Sequence, residues 1–456
     1  MITESGGDIS WVTDKLRETQ DSEFLIFKGQ TFTYDDLLTR ISFFQKELEQ
    51  NGIREGECVA LIGDYSPNAI FLLMALLLNR NIVVPLSNES REKHLDMFED
   101  AKVNQIIEIN ENDSWTLREG SKSASHPLLD DLRERGESGI IIFTSGTSGK
   151  SKASVLSAGR LLEKYKTAKR KPLRTLIFLK LDHIGGINTL FAILFNGGTI
   201  VTSDSRTPES VYRAVDKHAV QVLPATPTFL NMLLMSKADA GSGYNLSSLQ
   251  LITYGTEPMP QSTLRGIHRL FPGVRLKQTY GLTELGIFST KSKDSQSTWM
   301  KVGGAGTETK ITGGTLWVRS ESAMLGYLNA PSPFDEDGWY DTGDQVETDG
   351  EYIRILGRKS EIINVGGEKV FPAEVESVFL EIPNVRDVLI TGRKNPITGE
   401  IVAAEAVLEK EEDIKSFRKR AVAHCRQKLQ PYQIPQIISV TDRKLSNDRF
   451  KKIRNV

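Results

Sequence analysis

Short, wholly apolar runs alternate along this chain with longer stretches in which apolar positions recur every three or four residues. "CVALIG" (58–63) and "NIVVPL" (81–86) read as buried strands. Between them, Ser66 and Pro67 read as the cap and first turn of a helix running through Leu78. "TFTYDDLLTRISFFQKELEQNG" (31–52) reads as a capped amphipathic helix: Leu37, Ile41, Phe44 and Leu48 share one face, and Gly52 stops it. Similar units lie at "GGTIVT" (197–202), "VQVLPATPTFLNMLL" (220–234) and "LQLITYG" (249–255). Strand, crossover helix and strand in repetition predict an α/β fold of parallel sheets covered by helices.

The texture changes after about residue 345. "GEYIRIL" (350–356) reads as a short strand and "EIINVGGEKV" (361–370) as another with a glycine bend. A helix is expected from Pro372, strands near 385–391 and 400–408, and a long helix over about 411–429. This is the pattern of a small α+β module, and "GRKS" (357–360) lies at the junction. The expected division is a large domain over 1–357 and a small one over 358–456, within a chain of 456 residues that is too long for one ordinary core.

Composition narrows the choice only a little. Hydrophobic residues at 39% and charged residues at 25% are ordinary for a folded domain, and a net charge of −2 gives no reason to expect nucleic acid as partner. Cys58 and Cys425 lie far apart and form no metal or redox pattern, as expected in a reducing compartment. No signal peptide is visible at the start, and the longest apolar run, Ala69 to Leu78, is well short of the ~18 residues of a membrane span. A cytoplasmic protein is expected.

The chemistry is concentrated in a few turns. "FTSGTSGKSKAS" (143–154) follows a short apolar strand and gathers glycines, hydroxyls and two lysines. Gly146 and Gly149 allow backbone N–H groups to converge on an anion, and Lys150 and Lys152 add charge. It is not a Walker loop, because Thr144 stands where the first glycine is required. Taken alone, the segment reads equally as a phosphate sleeve or as a solvated loop. Three further segments change that balance: "QTYGLTELG" (278–286), "WYDTGD" (339–344) and "GRKSEIINVGGEKVFPAEVE" (357–376).

In order and spacing these four segments resemble the signature motifs of the acyl- and aryl-adenylating superfamily, which comprises acyl-CoA synthetases, peptide-synthetase adenylation domains and luciferases. The resemblance runs from roughly residue 24 to the C-terminus. It implies a large N-terminal domain that binds ATP and an acid, followed by a mobile C-terminal lid. Thr144, Ser145, Gly146, Thr147, Ser148, Gly149 and Lys150 would hold the departing phosphates, and Tyr280 would offer a flat face to adenine. The resemblance places Gly255, Thr256, Glu257 and Pro258 around the base, Thr283 at the α-phosphate, and Glu284 on Mg2+. Asp344 would accept from the ribose hydroxyls, with Arg358 nearby. Aligned on Leu445, the family's catalytic lysine falls on Lys452, with Lys451 as the fallback. Ser151 and Ala153 depart from the Pro and Gly usual at the end of the loop, and Ser360 stands at the expected hinge.

"KLDHIGGINTLFAILFNGG" (180–198) matches the segment that lines the acyl pocket in the superfamily. His183 falls where acyl- and aryl-CoA synthetases often carry His, so an amino-acid substrate is less expected, although Asp182 is adjacent. Gly185 and Gly186 are expected to leave room for an apolar chain or ring. "NVGGEKV" (364–370) matches the loop lining the pantetheine tunnel, which serves CoA or a carrier-protein phosphopantetheine alike. The resulting expectation is an AMP-forming ligase joining a fatty or other non-amino carboxylic acid to CoA. The alternatives are loading of an acyl carrier protein, or a non-catalytic relative that binds nucleotide.

Overall fold

The protein is described from a computed structural model covering residues 7–121, 125–144, 150–240, 243–447 and 450–454. Among these residues the alternating pattern builds two seven-stranded sheets. The first runs in the order Arg275–Gln278, Leu251–Tyr254, Val222–Ala225, Arg174–Leu176, Thr199–Val201, Glu23–Phe27 and Gln30–Thr33. It is parallel except for its final hairpin. In the second, Gly139–Thr144, Ile82–Leu86, Cys58–Ile62 and Gln105–Ile109 form a parallel centre with antiparallel strands at both sides.

The wholly apolar strands owe their composition to burial on both faces. Cys58–Ile62 and Ile82–Leu86 are buried at every position, because a parallel pair needs a crossover that lays a helix on the sheet. That crossover is the helix Pro67–Leu78, whose Ser66 side chain accepts from the Ala69 N–H as its cap. Helix Tyr34–Gln50 starts later than its motif suggests, since 30–33 is strand. Thr33 and Asp36 cap it reciprocally, and Leu37, Ile41, Phe44 and Leu48 are buried. These two helices and Ile184–Phe195 fill the space between the sheets, where Leu25 of one sheet and Val59 and Leu61 of the other share a single core.

A third sheet, of six antiparallel strands, follows: Ser289–Ser292, Met300–Gly303, Tyr352–Arg358, Tyr340–Asp349, Thr315–Ser320 and Thr307–Thr312. Its strands are too polar to stand out in the hydrophobic pattern; Thr307–Thr312 is exposed at nearly every position. It includes the strand expected at 350–356, on the large-domain side of the expected boundary. Tyr352–Arg358 pairs back on Tyr340–Asp349, setting Asp344 opposite Arg358. Beyond the short turn Lys359–Glu361, the C-terminal part forms its own sheet from Ile363–Val365, Glu368–Val370, Val385–Asn395, Gly399–Leu408 and Ile437–Val440. Helices Pro372–Phe379 and Ile414–Arg426 cover it, with Val375, Phe379, Val388 and Phe417 in a separate core. The α+β expectation for this part holds.

Among the described residues no helix is long and apolar enough to cross a membrane. Cys58 and Cys425 are buried free thiols, both pushed up to about 12 by burial.

Gly186 does not open space for a ligand. A Cβ there would lie 1.9 Å from the Lys180 carbonyl oxygen and 2.6 Å from the Tyr65 hydroxyl, so the glycine lets the first turn of Ile184–Phe195 press against the preceding backbone. In an open helix Gly→Ala stabilises by ~1 kcal/mol. Here Gly186→Ala is expected to destabilise by about 3 kcal/mol, read as a lowered urea midpoint at unchanged slope. A midpoint equal to or above wild type would refute the packing role.

Candidate active site

The first sheet's parallel strands end in the turns that carry the motifs. Leu251–Tyr254 runs into Gly255–Pro258, and Arg275–Gln278 runs into Thr279–Glu284. Helix Ile184–Phe195 begins beside them, and the 340–358 hairpin of the third sheet closes over them. All border one cavity of about 790 Å³, at the carboxyl ends of parallel strands where α/β sheets bind ligands.

Asp344 is the most constrained group on its wall. The Tyr280 hydroxyl donates to its Oδ2 at 2.6 Å, and Arg358 Nε lies 3.4 Å from its Oδ1. Burial raises its carboxyl above the ordinary value, with the Arg358 guanidinium opposing, and burial likewise drives the Tyr280 phenol well above its own. A carboxylate has roughly four lone-pair sites. Tyr280 and Arg358 occupy two, and the remaining two match the two hydroxyls of a ribose.

Thr283 and Glu284 sit side by side, both buried, on the same cavity. Tyr327 donates to Glu284 Oε1 at 2.6 Å, and the Lys152 ammonium lies 5.0 Å from the Tyr327 ring. No group of three or more metal-ligating side chains exists among the described residues. A single oriented carboxylate nonetheless suits Mg2+, which takes one or two protein carboxylates and completes its shell with phosphate oxygens and water.

The 255–258 turn is fixed from beneath. A Cβ on Gly255 would meet Thr279 Oγ1 at 2.5 Å, so only glycine fits. Thr256 follows with φ +77°, a conformation costly for a β-branched residue. Glu257 accepts from the Thr228 N–H at 2.8 Å and from the Lys452 N–H at 3.4 Å, which ties the C-terminal tail to the turn. Phe450 anchors that tail, its ring 5.3 Å from Phe178 and 5.2 Å from Phe229.

Lys451 and Lys452 both reach the cavity wall. The Lys452 ammonium is held by Asp387 and, at 2.8 Å, by the Val388 carbonyl. Lys451 also lines a small recess of about 20 Å³ shared with His183 and Thr256. His183 is the cap of helix Ile184–Phe195: its Nδ1 accepts from the Gly185 N–H at 3.1 Å, which puts the proton of the neutral ring on Nε2. Gly185 lines the cavity, whereas Gly186 is packed as described.

The glycine- and hydroxyl-rich loop joins the antiparallel strands Gly139–Thr144 and Lys152–Ser157. Thr144 lines the cavity, while Ser145, Gly146, Thr147, Ser148 and Gly149 lie outside the described residues. Lys150 is exposed, pairs with Asp100 at 3.3 Å and is not on the cavity wall. Sequence reasoning missed Tyr327, Thr228 and Asp387, the partners of Glu284, Glu257 and Lys452. They stand outside every motif, and their separations in the chain carry no signal.

The arrangement invites comparison with known proteins. A family model described as AMP-binding enzyme matches residues 12–328, and one described as AMP-binding enzyme C-terminal domain matches 374–452. The chain is 26% identical to the 2-succinylbenzoate–CoA ligase of Bacillus subtilis (strain 168) over 501 residues, covering 100% of this chain and 98% of the relative. It is 28% identical to the indoleacetate–CoA ligase of Aromatoleum aromaticum, covering 84% of each. Its fold matches the anthranilate CoA ligase AuaEII in complex with anthranoyl-AMP, with a TM-score of 0.81 and 19% identity over 97% of this chain and 95% of that one. The o-succinylbenzoate CoA synthetase of Bacillus subtilis with its acyl-adenylate gives 0.79 at 23% identity, over 98% and 97%.

Since protonation turns one of Asp344's acceptor oxygens into a donor and removes its charge, and burial lifts its pKa above 3.8, ATP affinity is expected to decline as pH falls through the acid range towards that raised value. Asp344→Asn is expected to bind ATP weakly at every pH, with a flat profile by calorimetry. Constant wild-type affinity over that range, together with normal binding by the variant, would remove Asp344 from the nucleotide site.

Proposed function

This chain belongs to the AMP-binding enzyme family, and on that footing we propose that it is an ATP-dependent ligase joining a non-amino carboxylic acid to the thiol of CoA. The observation that carries the reading is one cavity bordered by Tyr280, Thr283, Glu284, Asp344, Arg358 and both tail lysines, drawn from three separate segments of the chain. The relatives' names, 2-succinylbenzoate–, indoleacetate– and feruloyl-CoA ligases or synthases, favour an acid that bears a ring.

A carboxylate is a poor electrophile because it would have to expel oxide. In the proposed first step its oxygen attacks the α-phosphorus of ATP, the bond to the β-phosphate breaks, and pyrophosphate leaves. In the second, the CoA sulfur attacks the carbonyl carbon of the acyl-adenylate and AMP departs with its electron pair. The first step sets two anions against each other, so cations and fixed donors must stand where charge accumulates. Asp344 and Tyr280 would fix the ribose and base, Thr283 would donate at the α-phosphate, and Lys452 would supply mobile positive charge. Glu284 would hold Mg2+, which neutralises charge on the departing phosphates. Residues 1–357 would form the binding body and 358–456 a lid turning about Ser360, with "NVGGEKV" lining the thiol's path. Buried free thiols at Cys58 and Cys425 suit a cytoplasmic enzyme.

The decisive test is pyrophosphate exchange. Lys452→Ala is expected to slow it at least about a hundredfold, ~2.7 kcal/mol of barrier, with ATP affinity near normal and Lys451→Ala less affected. The reverse order would transfer the role to Lys451, and unchanged exchange in both would end the lysine assignment. Ser360→Pro is expected to slow thioester formation more than exchange; equal slowing of the two half-reactions would contradict rotation at that residue.

A further inference from the structure

Beyond the motif turns the cavity runs inward between the helix Ile184–Phe195 and one face of the first sheet, and charge is distributed unevenly along it. On the helix side, Asn188, Thr189 and Ala192 face the space. Here the Lys164 ammonium is held by Asn188 Oδ1 at 2.6 Å and the Ile287 carbonyl at 3.1 Å, 5.2 Å from the Tyr165 ring. Those two bonds use two of its three N–H donors. On the sheet side, Lys277 points to the same cavity in register with Thr253, itself in register with Pro224. Among the described residues the Lys277 ammonium makes no hydrogen bond or ion pair, and no carboxylate pairs with Lys164.

Burial pushes Lys164 down to about 8 and lowers Lys277 as well, with no acid contributing to either. Protein packs around both groups, yet Lys164 keeps contact with solvent and Lys277 is half-buried, and both line the cavity. The acids on the wall, Glu257, Glu284, Asp344 and Glu361, belong to the nucleotide turns and the small domain instead. Unmatched cations in a confined space are expensive to keep charged, and a site that retains them is built for an anion.

Two rulers give the spacing. Asn188 lies five residues along the helix from its cap His183, about 7.5 Å at ~1.5 Å per residue. Lys277 lies two residues inward from Thr279, about 6.6 Å at ~3.3 Å per residue. Both lysines therefore stand at a similar depth from the mouth where the reacting carboxylate meets ATP.

Resting on the reading above, we propose that the acid substrate is a diacid: one carboxylate reacts near His183, and a second anionic group, roughly 7 Å deeper, is bound between Lys164 and Lys277. Lys164 and Lys277 are then determinants of specificity, and simple fatty acids of the same length are poor substrates.

The test uses matched probes on the full chain: terephthalate against benzoate, and heptanedioate against heptanoate. Each acid is titrated calorimetrically and then assayed for pyrophosphate release with ATP. At least one diacid is expected to bind at least tenfold more tightly than its monoacid partner. Lys164→Met and Lys277→Met should each shrink that gap severalfold, and Lys164→Arg, which keeps the charge, should retain it. ATP affinity reports whether each variant is folded. Equal or tighter monoacid binding by wild type, or a gap that survives both Met substitutions, overturns the proposal. Tight diacid binding without pyrophosphate release would sink the ligase reading and leave the diacid site standing; release from monoacids alone would do the reverse.

Discussion

The site depends on keeping one carboxylate, Asp344, ionised in a place that disfavours charge. It stands on a hairpin of the third sheet, accepts from a tyrosine carried on a turn of the first sheet, and faces an arginine beside the junction with the small domain. Two parts of the fold, the third sheet and a turn of the first, meet at that one charge. Backbone pairing across the hairpin sets Arg358 opposite it, so the guanidinium reaches the carboxylate from an adjacent position. The acceptor sites left over are aimed by the same contacts, a preorganised geometry that would suit two hydroxyls.

The remaining wall follows a similar logic of indirect support. Glu284 is oriented by Tyr327 and Glu257 by a backbone amide, so each acid that would face a nucleotide is held by a neutral donor. A neutral donor positions a carboxylate without cancelling its charge, which leaves that charge available to a cation or a hydroxyl. The deep end is the opposite case, with cations held by a side-chain amide and a carbonyl or by nothing polar. The motif end carries acids and cations together, whereas the inner wall bears lysines without acids among the described residues, so an anionic molecule entering the cavity has a preferred way round.

The tail joins these parts to the small domain. Phe450 is buried in the body between Phe178 and Phe229, while the ammonium two residues later is tied to Asp387 of the small domain. One short segment thus spans the boundary, apolar contact on one side and an ion pair on the other. Arg265 pairs with Glu381 across the same boundary, and Ser377 accepts from the Gln261 N–H. Apart from the Phe450 anchor these contacts are polar, as in interfaces between domains that move relative to one another.

Much of this was legible in the sequence. The buried strands, their capped crossover helices, the α/β class and the motif-bearing turns all follow from hydrophobic period and from Gly, Pro, Ser and Thr at fixed places, because those signals act within a few residues of chain. Position in space is decided differently. The sequence could not tell that Tyr352–Arg358 sets Arg358 opposite Asp344, that Gly186 serves packing, that Lys150 turns to Asp100 while Lys152 lies near Glu284's partner, or that Lys164 and Lys277 line one cavity. Each of those outcomes rests on a contact between residues far apart in the chain, or on the side of an element that faces the cavity. Local backbone preference fixes neither, and only the packed structure chooses.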